Sequence, residues 1–402
     1  MTIEPDNRPG HTPTLFACFL HFDLSFMLWV LLGALGILIA EDLRLSPAQQ
    51  GMLVALPLLS GSLLRIPLGL LSDRWGGRRV GASMLAFLFL PLSIGWLAGS
   101  SWPVMIIVGL LLGTAGASFA VALPLASAWY PAHRQGLVMG IAAAGNSGTV
   151  ITNLLAPRLA AHVGWHGVLA VAMIPLALVL ATFLLVAREA PRVAAPRTLT
   201  ALREPDLWWF CLFCSVTFGG YVGLSSFLPL FLRAQHGVDA GSAGLLTALA
   251  AFAGSGARPF GGWLADRIGG TRLLGLSLAG LALAYAGIAT GPAFVPLICL
   301  LVLAMACCGF GNGAVFQLVP LRFRNQVGLA TGVIGAIGGL GGFCLPMLLG
   351  LLRQHRGGFG SGFVLLATVA MLVAGLLQAL TLVRSGWQMS WQARITRVAE
   401  EA

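Results

Sequence analysis

The strongest constraint on this chain is a phrase that occurs twice, each time with an arginine inside an apolar run. Arg65-Ile-Pro-Leu-Gly-Leu-Leu-Ser-Asp73-Arg74-Trp-Gly-Gly-Arg78-Arg79 returns 193 residues later as Arg258-Pro-Phe-Gly-Gly-Trp-Leu-Ala-Asp266-Arg267-Ile-Gly-Gly-Thr-Arg272. Each arginine precedes its aspartate by eight residues, so at about 1.5 Å per residue it lies about 12 Å inside the helix. Half the hydrocarbon core of a bilayer is about 15 Å, which puts both guanidinium groups near the midplane. A charge there costs about 2.5–3.5 kcal/mol on insertion scales and by default marks function. Two of them, one per half of the chain, point to a site for an anion.

Composition agrees with a membrane protein. The 402 residues are 58% hydrophobic and 9% charged, with mean hydropathy +0.90, too little charge for a soluble domain of this length. The net charge of +10 would suit a nucleic-acid binder, but the arginines fall in short loops between apolar stretches, the pattern of a membrane protein. No nucleic-acid partner is expected. All 23 basic residues are arginine, so the Gly-Lys-Ser/Thr of an ATP-binding loop is missing. The seven cysteines lie almost wholly in apolar stretches and read as small buried hydrophobes. Cys211-Leu-Phe-Cys214 has redox spacing without a catalytic pattern around it. No cluster has metal-ligand spacing, and no cofactor is expected. The first apolar stretch is too long for a cleavable signal peptide.

Twelve segments are long enough to cross a bilayer: 14–40, 47–72, 80–99, 102–129, 136–161, 165–187, 206–233, 240–265, 272–290, 293–320, 327–352 and 359–383. The stretch 188–205 holds three prolines and four arginines and reads as a linker. The predicted fold is all-α and polytopic: twelve transmembrane helices in two six-helix bundles, 1–187 and 206–402, joined by a cytoplasmic linker at 188–205. With both termini cytoplasmic, 16 arginines fall inside and five outside, namely Arg44, Arg158, Arg233, Arg353 and Arg356. That bias sets orientation. The expectation is a multi-pass monomer in the lipid bilayer of the cytoplasmic (inner) membrane.

The repeat runs beyond the arginine phrases. Gly51-Met-Leu-Val-Ala-Leu pairs with Gly244-Leu-Leu-Thr-Ala-Leu, and Gly61-Ser62 with Gly254-Ser255, again at 193; Gly136-Leu-Val-Met-Gly140 pairs with Gly328-Leu-Ala-Thr-Gly332 at 192. Equivalent helices follow an even number of crossings, so the halves are parallel repeats about an axis along the membrane normal. A substrate is expected between them at mid-depth, with access alternating as the bundles rock.

Gly69-Leu-Leu-Ser-Asp73-Arg74-Trp-Gly76-Gly77-Arg78-Arg79 resembles the loop signature of the major facilitator superfamily after its second helix. Gly262-Trp-Leu-Ala-Asp266-Arg267-Ile-Gly269-Gly270 resembles its partner after the eighth. Within that superfamily the chain is similar to the nitrate/nitrite porters, which carry one arginine in helix 2, one in helix 8 and a glycine-rich signature in helices 5 and 11. Here these match Arg65, Arg258, Gly140-Ile-Ala-Ala-Ala-Gly145-Asn146-Ser147-Gly148-Thr149 and Gly335-Ala-Ile-Gly338-Gly339-Leu-Gly341-Gly342. Helix 11 departs in having Gly338-Gly339 where some relatives carry a second Gly-Asn. The resemblance covers essentially the whole chain. It implies the major facilitator fold and secondary transport of nitrate, nitrite or both, with substrate contacts from Arg65, Arg258, Asn146, Gly145, Gly338 and Gly339.

The residues themselves support an oxyanion. A guanidinium is a planar fork of donors that stays charged and matches a planar oxyanion. Asn146 lies about ten residues into helix 5, roughly 15 Å deep, level with the arginines, and Asn312 of helix 10 is at similar depth. Glycine makes up 53 of the 402 residues, about twice the usual ~7%, which favours close helix packing around a small solute. Phe119, Tyr221 and Phe316 lie near mid-span in helices 4, 7 and 10 and are candidate pocket walls; ordinary core is the alternative for each. Asn146 could equally be interhelical glue. Asp73 and Asp266, with Arg74 and Arg267, read as structural groups at helix ends.

Asp23, in His21-Phe-Asp23-Leu-Ser25-Phe, is the one carboxylate well inside a span. It is the natural counter-charge to the two arginines and the candidate proton-coupling group; a static structural pair is the alternative. Three functions stay open: a nitrate or nitrite transporter, as proton symporter or exchanger; a transporter of another small anion; and a membrane enzyme or channel. The last lacks clustered catalytic groups and a continuous polar lining.

Overall fold

The computed structural model describes residues 10–130, 138, 144–189, 200–323 and 326–391. Most of the linker 188–205, the phrase 136–143 apart from residue 138, and Arg8, Arg134, Arg192, Arg197, Arg324, Arg394 and Arg397 lie outside the described residues. Among the described residues all regular structure is helical. The first half runs α1 Thr12–Trp29, α2 Leu31–Ala34, α3 Gly36–Asp42, α4 Pro47–Trp75, α5 Gly77–Ala98, α6 Trp102–Leu112, a 3-10 stretch Gly113–Ser118, α7 Phe119–Ser127, a 3-10 turn Ala144–Ser147, α8 Gly148–Val171 and α9 Met173–Val186. The second half runs α10 Pro205–His236, α11 Ala240–Ile268, α12 Gly270–Ala289, α13 Phe294–Arg322, α14 Val327–Arg356, α15 Gly360–Val383 and α16 Ser385–Gln388.

Among the described residues ten stretches are long and apolar enough to cross a membrane, so the chain is a multi-pass membrane protein. Four of the twelve expected spans differ in form from a single straight helix, among them the fourth, which the 3-10 stretch Gly113–Ser118 interrupts. The first is broken into α1, α2 and α3, with caps at Val30 and Leu35. The fifth and sixth form one 42-residue stretch, Gly145–Val186, which turns at Gly164 with φ 70 and ψ 162.

The repeat governs local structure. Ser46 caps α4 by accepting from the Gln49 amide at 3.4 Å, while the Gln49 side chain accepts from the Ser46 amide at 2.9 Å. This is a capping box with Pro47 in the first turn. Asp239, the repeat mate of Ser46, accepts from the Ser242 amide at 3.0 Å and opens α11. Both helices end at a glycine with positive φ, Gly76 at 99 and Gly269 at 94. Only glycine takes that conformation without strain, so the loop phrase is a stop signal for one helix and a start signal for the next.

The chain divides into two compact units. Unit 1 is Met1–Thr198 with Ser225–Ala248, and unit 2 is Leu199–Leu224 with Leu249–Ala402. Residues 225–248 join unit 1 because of specific contacts there. Arg233 pairs with Glu41 at 2.7 Å. Gly36 leaves room for the Leu230 side chain, and Gly244 faces the carbonyl of Asn153. In unit 1, α1 packs against the two 3-10 segments and α7, α8 and α9; in unit 2, α12 packs against α13 and α15.

Candidate functional site

In unit 1, α4 carries Arg65 into the interior, where it is 2% exposed. Its Nε donates to the Gly116 carbonyl at 2.9 Å. The guanidinium carbon lies 5.2 Å from the centre of the Trp29 ring and 5.3 Å from that of Phe119. Desolvated cation–π contacts of this kind are worth up to about 2 kcal/mol, and they hold a charge that burial would otherwise penalise. The carbonyl acceptor comes from the 3-10 stretch, whose weaker i→i+3 bonding interrupts the α-helical ladder, as happens where a side chain inserts into a helix. Gly116 must be glycine, because a Cβ there would collide with the Trp29 indole. Trp29 is itself anchored: its Nε1 donates to the Pro57 carbonyl of α4 at 2.7 Å.

In unit 2, α11 carries Arg258, which is half-buried. Its guanidinium carbon lies 5.7 Å from the Phe218 ring centre and 5.4 Å from that of Phe316. A Cβ at Gly313 would collide with the Arg258 carbonyl, and one at Gly309 with the Gly254 carbonyl. These glycines of α13 therefore let it lie directly on α11 beside the arginine. The Tyr221 hydroxyl sits 2.6 Å from Ser255 Oγ and donates to the Ala251 carbonyl at 3.4 Å, tying α10 to α11 much as Trp29 ties α1 to α4.

The glycine-rich signatures do the same packing in both units. Cβ atoms at Gly145 and Gly148 would run into the backbone of Asp23, and those at Gly338 and Gly341 into Cys214 and Ser215. Gly339 is buried in α14. Removing the Cβ lets two backbones approach closely. At this contact the Ser147 hydroxyl donates to Asp23 Oδ1 at 2.7 Å. No ion pair joins Asp23 to Arg65 among the described residues; the four that occur there involve Glu41, Glu204 and Asp206.

Asn146 is 3% exposed and Asn312 is 2% exposed. Asn312 Nδ2 reaches Cys214 Sγ at 3.9 Å. The Oδ1 atoms of both asparagines are buried without a hydrogen-bond partner among the described residues, which costs about 1–3 kcal/mol each. Rotating either amide about its last bond would exchange that oxygen for an NH2 donor. Thr149 and Asn153 also bury an unpartnered oxygen. Their i, i+3, i+7 spacing from Asn146 on one helix face was the signal for them in the sequence.

Asp73, Arg74, Asp266 and Arg267 are exposed. Asp266 Oδ1 accepts from Gln317 at 2.8 Å, and Arg267 stacks 4.0 Å from the Trp263 ring centre. The start of α5 is capped from far along the chain, by Glu189, which accepts from the Gly77 and Arg78 amides at 2.9 and 3.0 Å. Sequence reasoning missed Gly116, Trp29 and Phe218 around the arginines. Gly116 had a signal, its match to Gly309 at the same 193 offset; the two aromatic rings occupy different registers and had none. Among the described residues no group of three or more His, Cys, Asp or Glu side chains gathers to hold a metal.

The model of the Major Facilitator Superfamily matches residues 17–322. The chain is 36% identical to a nitrite extrusion protein of Bacillus subtilis, over 86% of this chain and 89% of that protein. It is 34% identical to the "Probable nitrate/nitrite antiporter NarK1" of Thermus thermophilus, over 87% of each. The "Probable nitrate/nitrite transporter NarK2" of Mycobacterium tuberculosis is 36% identical, over 81% of this chain and 85% of that protein. In fold, the crystal structure of a bacterial homologue of the human lysosomal transporter Spinster superposes with a TM-score of 0.71 at 20% identity, covering 93% of this chain and 96% of that one. A duplicated arginine phrase, glycine-turned loops and relatives of this kind converge, and the chain belongs to the major facilitator superfamily, in its nitrate/nitrite porter family.

Proposed function

We propose that this chain is a secondary active transporter that carries nitrate, nitrite or both across the cytoplasmic membrane by alternating access, with import coupled to protons. The observation that carries the reading is the pair of repeat-related arginines, each set between two aromatic rings inside an apolar helix. Rings hold a guanidinium without neutralising it, so the positive charge stays available to an anion. Arg65 and Arg258 both contact the anion, and the buried amides of Asn146 and Asn312 donate to its oxygens. Gly145, Gly338 and Gly339 keep the neighbouring backbones close, and Phe119, Phe316 and Tyr221 exclude water. The protein acts as a monomer with both termini cytoplasmic and catalyses no chemical reaction.

Asp23 supports proton coupling, because its hydrogen-bond partner is a neutral serine of helix 5, an arrangement that a protonated carboxyl can also adopt. Exchange of nitrate for nitrite is the second reading, favoured by relatives named antiporter and extrusion protein. Counterflow of labelled nitrate in proteoliposomes, competed with nitrite, chlorate, formate and phosphate, tests the substrate. Nitrite should compete at concentrations comparable to nitrate, and phosphate should not. Counterflow that phosphate or formate suppresses more strongly than nitrite would assign another anion.

A further inference from the structure

We infer that His21 is a positioning residue for the anion site, bracing the 3-10 stretch of unit 1 that orients the Arg65 guanidinium. The inference rests on the reading that Arg65 binds the anion. His21 is fully buried in α1. Its Nε2 lies 3.1 Å from the Gly81 carbonyl of α5, and its Nδ1 lies 2.7 Å from Ser118 Oγ. A carbonyl can only accept, so Nε2 donates to Gly81, and Nδ1 of the neutral ring accepts the Ser118 hydroxyl proton. Ser118 is the last residue of the 3-10 stretch. Two residues before it, Gly116 accepts from Arg65 Nε; the residue after it, Phe119, flanks the guanidinium.

A six-residue 3-10 stretch is long for its kind and has poorer hydrogen-bond geometry than an α-helix. Something must hold it. His21 does so from one end, through a bond that links residues 97 apart in the chain. The plane of the Arg65 fork is fixed by its Nε bond, and a fork recognises a planar oxyanion only when correctly oriented. Positional disorder in the stretch is therefore passed to the anion.

The repeat gives an independent argument. At the same 193 offset, Cys214 stands where His21 stands, and Asn312 stands where Phe119 stands. In unit 2 Asn312 Nδ2 reaches Cys214 Sγ at 3.9 Å, and Gly311, which stands where Ser118 stands, has no hydroxyl. At this register the first helix of unit 2 packs its Thr217 side chain on Gly311 of the fourth, with no counterpart of the His21–Ser118 bond. The His21–Ser118 bond thus belongs to the unit whose arginine is held by a backbone carbonyl.

The test compares nitrate affinity of purified wild type, His21→Phe, His21→Gln, Ser118→Ala and Arg65→Lys, together with KM and maximal rate in counterflow. His21→Phe keeps a ring and loses both bonds; nitrate Kd and KM should rise about tenfold, equivalent to about 1.4 kcal/mol, with the maximal rate per folded transporter unchanged. His21→Gln keeps a donor and an acceptor and should recover most of the affinity. In an Arg65→Lys background, His21→Phe should add little further loss. If His21→Phe fails to fold, Ser118→Ala, which removes only the hydroxyl, should raise Kd at least threefold. A folded His21→Phe or Ser118→Ala protein with wild-type affinity overturns the inference alone. Wild-type protein that binds no nitrate overturns the substrate reading and the inference with it.

Discussion

The two units hold their arginines differently. Arg65 is almost wholly buried, with its Nε fixed on a backbone carbonyl and its guanidinium between an indole and a phenyl ring. Arg258 is half-buried between two phenyl rings. The surroundings diverge in the same direction. At the helix crossing that Gly145 and Gly148 permit, unit 1 places Asp23, Asn146 and Ser147; at the same offset unit 2 has Val216, Gly339 and Leu340. Both crossings rely on glycines against backbone. Unit 2 makes the equivalent crossing with Ser215 donating to the Ile337 carbonyl at 3.1 Å, and with no carboxylate or amide at the matching positions. Asp23 and Asn146 therefore have no polar counterpart in unit 2. In the proposed mechanism unit 1 orients the anion and carries the coupling group, while unit 2 supplies the second charge.

Exchanging the arginines tests that asymmetry most severely. Arg65→Lys keeps the charge but loses the fork and the carbonyl bond, so nitrate affinity should fall more than a hundredfold, about 2.7 kcal/mol. Arg258→Lys should fall at least tenfold, and less than Arg65→Lys. Equal losses, measured by equilibrium binding on purified protein, would break the comparison; near-normal affinity in either mutant would remove that arginine from the site.

A smaller effect is expected at Asn146. Its replacement by alanine removes one hydrogen bond to a charged ligand, up to about 3 kcal/mol, and should weaken nitrate binding roughly tenfold to a hundredfold. Unchanged affinity with a lowered melting temperature in Asn146→Ala would make that residue helix glue.

Stability separates the shared part of the two units. Gly148→Ala and Gly341→Ala each press a methyl group into a backbone carbonyl, an overpacking that costs about 1–3 kcal/mol. Thermal unfolding should show similar losses in both. A large loss in one alone would mean that the crossings are not equivalent. The smallest change is expected for Glu41→Gln, because the Glu41–Arg233 pair is about half exposed and such pairs contribute about 0–1 kcal/mol. Nitrate affinity should not move.

What could be read from the sequence was whatever a single residue decides locally. An arginine in an apolar run, a glycine loop with two equal copies and a carboxylate inside a span are legible because few environments tolerate them. The broken first span, the 3-10 stretch before Phe119 and the Glu189 cap depend on partners far away in the chain. Nothing near Gly116 announces that its carbonyl meets Arg65, 51 residues earlier. Asp23 illustrates the limit: its depth was evident, and its partner, Ser147 rather than an arginine, required the packing of helix 5 against helix 1.

In the proposed mechanism unit 1 couples the anion to protons through Asp23. Moving a monovalent anion into a negative interior is uphill by about 2.3 kcal/mol per 100 mV, so net import needs a co-transported cation or an exchanged anion. The decisive measurement is accumulation of labelled nitrate in proteoliposomes that contain no internal anion substrate, with and without an inward proton gradient. Wild type should accumulate nitrate only with the gradient, and Asp23→Asn should lose that dependence while still binding nitrate. Accumulation that appears only when nitrite is loaded inside, whatever the gradient, would contradict the account and leave Asp23 as a structural partner of Ser147.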